Sequence, residues 1–236
     1  MKSPFLSLWV FGLSMILATA SHAQLPTSNA FNVRTFGAKG DGKTIDSPSI
    51  DRAINAASAA GGGTVYFPAG SYASYTVHLK SDISLYLDSG ATLLAAETVN
   101  GVGYDAPEPN TFDKYQDFGH SHFQNSLLFG ENLHDVSILG PGRIWGRGLV
   151  NFGHQSRTRA QNDALRATVL DPAKAPFNYP DPRDAVESGW GNKSISLKNC
   201  RNVTMRDFSI LHGGHFGILA TGVDNLVIVQ TAAQSF

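Results

Sequence analysis

One short pattern recurs in the sequence and constrains the fold more than any other feature. Cys200–Met205 and Val223–Ile228 both follow the order apolar, any, Asn, apolar, any, apolar, and the two copies lie 23 residues apart. A third copy, Leu133–Ile138, has Asp in place of Asn, and Asp82–Leu85 keeps the second half of the pattern. Self-similarity at a period of about 20 to 50 residues is typical of solenoids. Because the apolar residues alternate and Val, Ile and Leu dominate, the repeating units are predicted to be strands.

The composition and charge of the chain exclude two common classes of protein. The chain has 236 residues, a formal net charge of −1 and 24 glycines. A nucleic-acid-binding domain is usually strongly basic, and a disordered tail combines few apolar residues with a high net charge. The sequence therefore indicates a turn-rich globular domain, for which we expect no nucleic-acid partner, no cofactor and a monomeric state.

The N-terminal segment has the features of a secretory signal peptide, residues 1–23. Lys2 precedes an apolar run, Phe5–Ala20, and Ser21 and Ala23 place small residues at the −3 and −1 positions of a cleavage site. A membrane anchor is the competing interpretation, but the run is short for a span and ends in a cleavage site. We expect a mature chain, residues 24–236, that is secreted or periplasmic and has no contact with the membrane.

Cys200 is the only cysteine of the chain, so the exported protein has no internal disulfide and depends on a large core for its stability. It occupies the same repeat position as Leu133 and Val223, which predicts a small buried apolar residue. A reactive thiol is the alternative interpretation.

A capping segment, residues 31–63, precedes the repeats. It is predicted to begin with a short strand that runs into the Gly-Asp-Gly turn at 40–42, followed by a helix with Ser47 as N-cap and Pro48 as its first residue. An apolar stripe at helical spacing follows, and a glycine triplet at 61–63 ends the helix. A solenoid needs such a lid, because its first coil otherwise exposes the core and unpaired strand edges. The stripe consists of Ile50, Ala53, Ile54 and Ala57.

The coils are predicted to run from 64 to 229, with two insertions at about 97–125 and 149–191. Both insertions follow the same strand of the coil, after Ala91–Leu94 and after Arg143–Gly146, so they should form a wall along one side. Insertions of this length exceed the usual loop of about four to six residues, and loops on a rigid scaffold often carry binding residues. The alternative is that they are ordinary loops whose aromatic side chains fix them to the coils. The residues in question are Tyr104, Phe112, Tyr115, Phe118, His120, His122, Phe123, Arg157, Arg159, Arg166, Phe177, Tyr179, Arg183 and Trp190.

These segments resemble a known family of proteins. The stretch FNVRTFGAKGDG to GGGTVYFPAGSY is similar to the N-terminal segment of the pectin-degrading, pectate-lyase-like right-handed parallel β-helix superfamily. The stretches LYLDSGATLLA and GPGRIWGRG and the later coils resemble glycoside hydrolase family 28, the polygalacturonases and rhamnogalacturonan hydrolases. The resemblance covers essentially the whole mature chain. It implies an all-β fold, a right-handed parallel β-helix with an N-terminal capping helix and two long loop insertions.

The family resemblance also implies a reaction, the inverting hydrolysis of a uronic-acid-containing polysaccharide such as pectin, polygalacturonate or rhamnogalacturonan. In an inverting enzyme, one carboxylic acid protonates the leaving oxygen while a second carboxylate, about 6.5 to 9.5 Å away, activates water. The motifs that carry these groups in the family are an Asn-x-Asp stretch and an Asp-Asp pair, followed by Gly-His-Gly and Arg-x-Lys. The sequence contains no Asp-Asp, Gly-His-Gly or Arg-x-Lys. We therefore expect a C-terminally truncated, inactive member of the family, whose catalytic residues are unknown and whose uncapped last coil exposes Leu226 and Ile228.

Four residues are candidates for contacting a polysaccharide: His212, His215, Arg183 and Trp190. Arginine pairs with carboxylates through two parallel hydrogen bonds, and an aromatic ring can pack on a sugar. The spacing of His212 and His215 also suggests a metal site, but no third ligand follows at a coil spacing, so no metal is expected. A loop histidine whose polar groups are satisfied by backbone is the alternative for both.

Two other functions remain open. A non-catalytic β-helix could bind carbohydrate through the loop wall alone. A polysaccharide lyase would need a Ca²⁺ site and a basic residue that abstracts a proton. The lyase is the weaker alternative, because the nearest acidic residues are scattered among loops: Asp113, Asp117, Asp181 and Asp184.

Overall fold

The computed structural model of the chain describes residues 30–109, 118–150 and 189–234. The predicted signal peptide, residues 1–23, lies outside these residues and stays a prediction. Within them, no helix is long and apolar enough to cross a membrane. The helices are a 3₁₀ helix at Val33–Phe36, α1 at Ser47–Ala59 and α2 at Phe118–Ser121. The strands are β1 Ala30–Asn32, β2 Asp41–Ile45, β3 Gly63–Phe67, β4 Gly70–Ser74, β5 Val77–His78, β6 Ile83–Leu87, β7 Ala91–Ala95, β8 Ser126–Glu131, β9 His134–Leu139, β10 Arg143–Trp145, β11 Lys193–Lys198, β12 Arg201–Arg206, β13 Ser209–Leu211, β14 Phe216–Thr221, β15 Asp224–Val229 and β16 Ala232–Gln234.

The strands form three parallel sheets. Sheet A has the order β1-β3-β6-β9-β12-β15, sheet B the order β2-β4-β7-β10-β13-β16, and sheet C the order β5-β8-β11-β14. From β5 onward the chain passes through sheets C, A and B in turn, so each strand pairs in parallel with the strand one coil earlier. A chain that returns to each sheet once per turn is a solenoid. The fold is the predicted parallel β-helix.

The recurring sequence pattern sets the register of sheet A. Val136 pairs with Val203, which pairs with Leu226, as the 23-residue repeat predicts. Val136 and Val203 are buried, and so is Cys200, as expected for a small apolar residue of the repeat. Removing such side chains from water is the main favourable term in folding. The stacked apolar rows inside the coils therefore supply the core.

The polar residue of the pattern has a conformational role. Asp135, Asn202 and Asn225 all have positive φ, near 55°. Asn and Asp tolerate this left-handed conformation better than other non-glycine residues. Their side chains form a ladder along the solenoid, in which Asn225 Nδ2 donates to Asn202 Oδ1 at 3.0 Å and Asn202 Nδ2 donates to Asp135 Oδ1 at 3.0 Å. A carboxylate can only accept such a hydrogen bond, which explains why Asp135 can replace Asn at the first position of the ladder.

Helix α1 covers the first coil, as predicted. The stripe residues Ile50, Ala53, Ile54 and Ala57 are fully buried, and the glycine triplet ends the helix with positive φ at Gly61, Gly62 and Gly63. A Cβ at Gly62 would come too close to the carbonyl oxygen of Asp82, the residue before β6. The triplet therefore stops the helix and lets the chain enter β3 against β6.

Two details of the capping segment differ from the prediction. The N-cap of α1 is Asp46 rather than Ser47. The Ser47 hydroxyl instead accepts a hydrogen bond from the N–H of Tyr75, the residue after β4, at 3.4 Å. The Asp46 carboxylate turns backward and accepts from the N–H groups of Lys39 (2.7 Å) and Gly40 (2.9 Å). The Gly-Asp-Gly sequence is also not a simple turn, since β2 begins at Asp41 and pairs irregularly with β4.

The two insertions start from neighbouring strands of sheet B. β7 and β10 pair through Leu93 and Ile144, and the chain leaves the coil after each of them. The common exit therefore agrees with the prediction. Of the insertions themselves, residues 110–117 and 151–188 lie outside the described part of the chain.

Candidate functional site

The outer face of sheet B is the surface next to which both insertions begin. Its strands alternate between a buried inner row, which contains Tyr72, Leu93, Ile144 and Ile210, and two outer rows. The register places Ile45, Ala73, Leu94, Trp145 and Leu211 in one outer row. It places Asp41, Ser71, Thr92, Arg143 and Ser209 in the other. The first row is an apolar stripe along the solenoid axis, with Ala73 and Leu94 packed together and Trp145 against them.

Trp145, Arg147 and His212 form a polar and aromatic group at one end of this stripe, which we call the Trp145 cluster. The Trp145 indole Nε1 donates to His212 Nδ1 at 2.9 Å, and the two rings lie 6.4 Å apart at 32°. The Arg147 guanidinium carbon lies 5.3 Å from the centre of the Trp145 ring, within the range of a cation–π contact. Trp145 is half-buried, whereas Arg147 and His212 are exposed. The cluster thus presents an exposed guanidinium over the face of a half-buried aromatic ring.

Glycines position the cluster. A Cβ at Gly146 would clash with the backbone carbonyl of His212, and the Gly146 N–H donates to Leu211 O at 2.8 Å. A Cβ at Gly148 would likewise clash with the carbonyl of Ala96. Only glycine allows two backbones to approach so closely. The Gly-Arg-Gly sequence after Trp145 therefore lets the chain leave sheet B in contact with both neighbouring coils, which brings Trp145 beside His212.

The Trp145–His212 hydrogen bond fixes the form of the histidine ring. An indole N–H can only donate, so His212 Nδ1 accepts and carries no proton in this arrangement. His212 also has a φ of 50°, a left-handed conformation at the end of β13 that turns its side chain toward the preceding coil. Of the three predicted candidates that the structure describes, His212 is the one at the outer face of sheet B.

The other predicted candidates lie elsewhere. The backbone N–H of His215 donates to Asn192 O at 2.7 Å, and its half-buried ring packs against the rings of Phe216 (4.4 Å) and His120 (5.8 Å) at the edge of sheet C. Trp190 is half-buried in the segment that leads into β11. Arg183 lies outside the described residues. The roles of all four in substrate binding stay predictions.

Several aromatic residues of the first insertion anchor it to the coils. Tyr104 is buried, donates to Ala96 O at 2.8 Å and packs edge-on against Tyr75. Burial raises the pKa of the Tyr104 hydroxyl above its ordinary value. Phe123 is also buried, with Lys198 Nζ 5.4 Å from its ring centre, and His122 is buried beside it. These residues follow the alternative interpretation, in which loop aromatics fix the loop.

Sequence reasoning assigned no binding role to Trp145 and Arg147, although a signal for Trp145 was present. In the segment Arg143-Ile144-Trp145, alternation in a strand places Trp145 on the face opposite the buried Ile144. This position on the outer face of the sheet, next to the small Gly146, indicates that a ligand can reach the Trp145 ring. The contact with His212 has no such signal, because the two residues are 67 positions apart.

The two outer rows of sheet B hold one carboxylate among the described residues, that of Asp41. Hydrogen bonds from the backbone N–H groups of Thr44 and Lys43 lower the pKa of Asp41 to about 2. Asp41 is therefore ionised at neutral pH and cannot donate a proton. These rows can bind a ligand, but they do not contain the pair of carboxyl groups that glycosidic hydrolysis requires.

One group of described residues brings three possible metal ligands together, while the expectation of no metal stays a prediction. Ligand atoms of Asp82, His134 and Asp135 lie within 4.8 Å of one another near the start of β6 and β9 in sheet A. His134 Nδ1 lies 2.9 Å from Asp135 and 3.5 Å from Asp82, so the imidazole itself links the two carboxylates. Asp82 and Asp135 are exposed and His134 is half-buried, and the group lies away from the outer face of sheet B.

Comparison with known proteins places these features in a family context. Residues 30–139 match the family model "Rhamnogalacturonase A/epimerase, pectate lyase-like". Over 225 residues the chain is 26% identical to the exo-poly-alpha-D-galacturonosidase of Dickeya chrysanthemi, a match that covers 87% of this chain and 36% of that protein. Over 194 residues it is 48% identical to alginate lyase 7 of Azotobacter vinelandii, covering 80% of this chain and 20% of that protein. The chain thus spans about a third and a fifth of the lengths of these two relatives.

A solved structure supports the fold. The hyperthermoactive exopolygalacturonase from Thermotoga maritima aligns with a TM-score of 0.62 at 22% identity, covering 90% of this chain and 48% of that one. The matches together confirm the resemblance to the polygalacturonases and to the pectate-lyase-like β-helix proteins that the sequence predicts.

Proposed function

We propose that this chain binds uronic-acid-containing polysaccharide of the pectic class along the outer face of sheet B. Two similarities support the proposal: the rhamnogalacturonase A/epimerase, pectate lyase-like model over residues 30–139, and the exo-poly-alpha-D-galacturonosidase over 225 residues. The Trp145 cluster is the observation that carries this proposal. Galacturonan and alginate, the polymers in the names of the two relatives, both consist of uronic acids and carry one carboxylate per sugar. A binding surface for either polymer needs apolar faces for the sugar rings and cations for the carboxylates.

The Trp145 cluster combines these two features. The Trp145 ring offers an apolar surface to the C–H face of a pyranose, and Arg147, 5.3 Å from the ring centre, offers a planar fork that matches a carboxylate. His212 holds the indole N–H and so fixes the orientation of the ring. Behind the cluster, Leu94 and Ala73 are buried at 4% and 3% exposure and pack against Trp145, so they hold the ring in place and do not contact a ligand themselves. A polymer would contact the side chains of the Trp145 cluster.

The proposed reaction of the family is the inverting hydrolysis of galacturonic-acid linkages, which requires two carboxyl groups. Among the described residues, the outer rows of sheet B supply one carboxylate, the ionised Asp41, and the sequence lacks the Asp-Asp motif. We therefore propose that the chain provides the binding surface of such an enzyme and not its acid and base. Release of reducing ends from polygalacturonate by the purified 236-residue chain would contradict this part of the proposal.

The binding proposal can be tested by titrating the chain with oligogalacturonate in a calorimeter. We expect Trp145→Ala and Arg147→Gln each to weaken binding by about tenfold or more, the loss of a ring contact or of a hydrogen-bonded charge pair. Arg147→Gln should also reduce the salt dependence of binding, because exposed charge pairs are screened by salt. The matched control is Arg201→Gln, which removes an exposed arginine from sheet A and should leave binding unchanged.

Two results would overturn the proposal: unchanged binding in both Trp145→Ala and Arg147→Gln, or an equal loss in Arg201→Gln. The same titration with oligomannuronate and oligoguluronate tests whether the chain binds alginate instead.

The 48% identity to alginate lyase 7 favours a lyase as the second candidate function. Lyase action would be detected as ultraviolet absorbance of an unsaturated sugar, a product that hydrolysis does not give.

We also propose that the chain is exported through residues 1–23 and acts outside the cytoplasm as a monomer, where polysaccharide is accessible. The support is the apolar run followed by Ser21-His22-Ala23. N-terminal sequencing of the expressed protein tests this proposal, and a mature N-terminus at Gln24 is the expected result. Sedimentation analysis tests the monomeric state.

A further inference from the structure

The hydrogen bond between Trp145 and His212 requires one protonation state of the histidine. The Trp145 Nε1–H can only donate, so the bond of 2.9 Å exists only while His212 Nδ1 carries no proton. Histidine is the side chain that ordinarily changes charge between about pH 5 and pH 8. We propose that this hydrogen bond is a pH-sensitive latch on the Trp145 ring, closed when His212 is neutral and open when it is protonated. The inference rests on the proposed function, since it describes how binding of polyuronate at the Trp145 cluster is regulated.

Protonation of His212 leaves its ring without an acceptor for the indole N–H. Both nitrogens of an imidazolium donate, so rotation of the ring does not restore the hydrogen bond. The charge acts in the same direction, because the Arg147 guanidinium already lies 5.3 Å from the centre of the Trp145 ring and the His212 ring lies 6.4 Å from it. Protonation therefore sets two donors against each other and places a second cation beside the first.

The elements that pack around His212 contribute few other charged groups. The turn after β10 meets the His212 carbonyl at Gly146, and the chain after β7 packs against the same turn at Gly148. β16, Ala232–Gln234, pairs with β13 on its other side and has no charged residue. The test must separate the latch from attraction of the imidazolium by a carboxylate. Of the described residues, the charged or titratable ones in these elements and in the segment after His212 are Arg147, Glu97 and His215.

Opening of the latch loosens the Trp145 ring without removing it from sheet B. Leu94 and Ala73 pack against the ring, and neither contact contains a titratable group. At acid pH the ring therefore stays on the sheet, but it loses the polar contact that fixes its angle. A ring that must be ordered when the ligand binds costs conformational entropy that a fixed ring does not.

Weaker binding at acid pH is the expected consequence. The carboxylates of a polyuronate titrate well below the range of histidine, so the ligand keeps its charge while His212 changes. We expect the affinity for oligogalacturonate to be about fivefold lower at about pH 5.5 than at about pH 7.5, the factor that corresponds to one hydrogen bond.

The latch itself is tested by the indole N–H resonance of Trp145 in the isotopically labelled chain, identified by its absence in Trp145→Phe. We expect this resonance to shift between about pH 7.5 and about pH 5.5. His212→Asn keeps an acceptor at the position of Nδ1, tolerates the φ of 50° and does not titrate, so the Trp145 resonance of this variant should stay in place. Two controls, Glu97→Gln for the nearby carboxylate and His134→Gln for a histidine in sheet A, should titrate like the wild type.

The effect on binding is tested by titrating oligogalacturonate into the same proteins at both pH values. The wild-type chain should lose affinity at the lower pH, whereas the affinity of His212→Asn should not depend on pH. His212→Gly removes the acceptor while adopting the positive φ without strain, so it should show the weaker binding at both pH values. The spectra used for the indole resonance also verify that each variant is folded.

Three results would overturn the inference: a Trp145 resonance that does not move in the wild-type chain, one that moves equally in His212→Asn, or an affinity that rises at the lower pH. Failure of the proposed function looks different, because oligogalacturonate would then bind at neither pH while the Trp145 resonance still shifted. That result would confirm the latch as a property of the ring and refute its role in binding together with the proposed function.

Discussion

The two ends of the solenoid have the same strand geometry but opposite surroundings. At the N-terminal end, α1 buries Ile54 and its neighbours completely against the first coil. At the C-terminal end of the described residues, the outermost strands leave Ile228 and its neighbouring valines half-exposed. Burial, rather than sequence type, therefore decides how much each apolar residue contributes to stability. Ile54 at one end belongs to the core, whereas Ile228 at the other end is 46% exposed.

The largest expected difference comes from truncating an isoleucine at each end. Ile54→Ala should lower the free energy of unfolding by about 2 to 5 kcal/mol, because it removes buried methyl groups and leaves a cavity beneath the helix. Ile228→Ala should change it by less than about 1 kcal/mol, since much of the side chain already contacts water. Urea denaturation of both variants measures the difference. Equal losses would show that the last coil is covered in solution.

The turn that leads into α1 gives the second largest effect. Asp46 is buried and its carboxylate accepts hydrogen bonds from the backbone of Lys39 and Gly40, so Asp46→Ala leaves two N–H groups without an acceptor. We expect a loss of about 1.5 to 3 kcal/mol, the range for hydrogen bonds to a charged group. Asp224→Ala, in an exposed position of β15, is the control and should cost less than about 0.5 kcal/mol. A similar effect of both variants in urea denaturation would contradict the role of Asp46.

How far the sequence predicts each feature depends on whether the cause is local or periodic. The 23-residue repeat predicts the register of Val136, Val203 and Leu226, because a solenoid places equivalent residues in contact. The helical stripe predicts the buried face of α1 because residues three and four positions apart lie on one face of a helix. The cap at Asp46 was missed by one residue, because the Ser47 hydroxyl lies near a backbone N–H 28 positions away. No local pattern carries that information.

The candidate site was less predictable than the fold. His212 was identified from its position in a coil, but its partner Trp145 lies in the previous coil, and the insertion between them hides the repeat. The close approach of Gly146 to the His212 backbone, which brings the two side chains together, is a property of the folded chain. The glycine spacing suggests a tight turn, but it does not identify the neighbouring strand.

A pH-dependent contact distinguishes the capped end further. His78 in β5 lies with Nδ1 3.0 Å from Asp51 of α1 and Nε2 2.7 Å from Asp105, in the loop after β7. Hydrogen bonds to Asp105 and Asp51 raise the pKa of His78 to about 10. The unfolded histidine has a pKa of about 6.5, so the contribution of His78 to stability is complete below that pH and is lost as the pH rises toward 10.

We therefore expect the free energy of unfolding to fall between pH 7 and pH 10 in the wild-type chain. His78→Gln should remove most of this slope, because glutamine does not titrate. His134→Gln is the control, since His134 lies in sheet A away from α1 and should leave the slope in place. Urea denaturation at several pH values gives the slopes. Identical slopes in the wild-type chain and His78→Gln would refute the assignment.

The smallest expected effect concerns the side-chain ladder formed by Asp135, Asn202 and Asn225. The pKa of Asp135 is lowered by its hydrogen bonds from His134 and Asn202, so its ionised form favours folding above the unfolded pKa of about 3.9, and this contribution is lost as the pH falls below that value. Asn202→Gly removes the amide donor while keeping the positive φ, which glycine adopts without strain. The pKa of Asp135 should therefore rise toward its ordinary value, with little change in stability at neutral pH.

The control is Asn225→Gly, one coil farther out. It makes the same backbone change but leaves the Asn202–Asp135 bond intact, so the pKa of Asp135 should stay low. Carboxyl resonances followed by NMR across the acid range measure both values, and a rise of equal size in the two variants would show that Asp135 responds to the ladder as a whole rather than to its own donor.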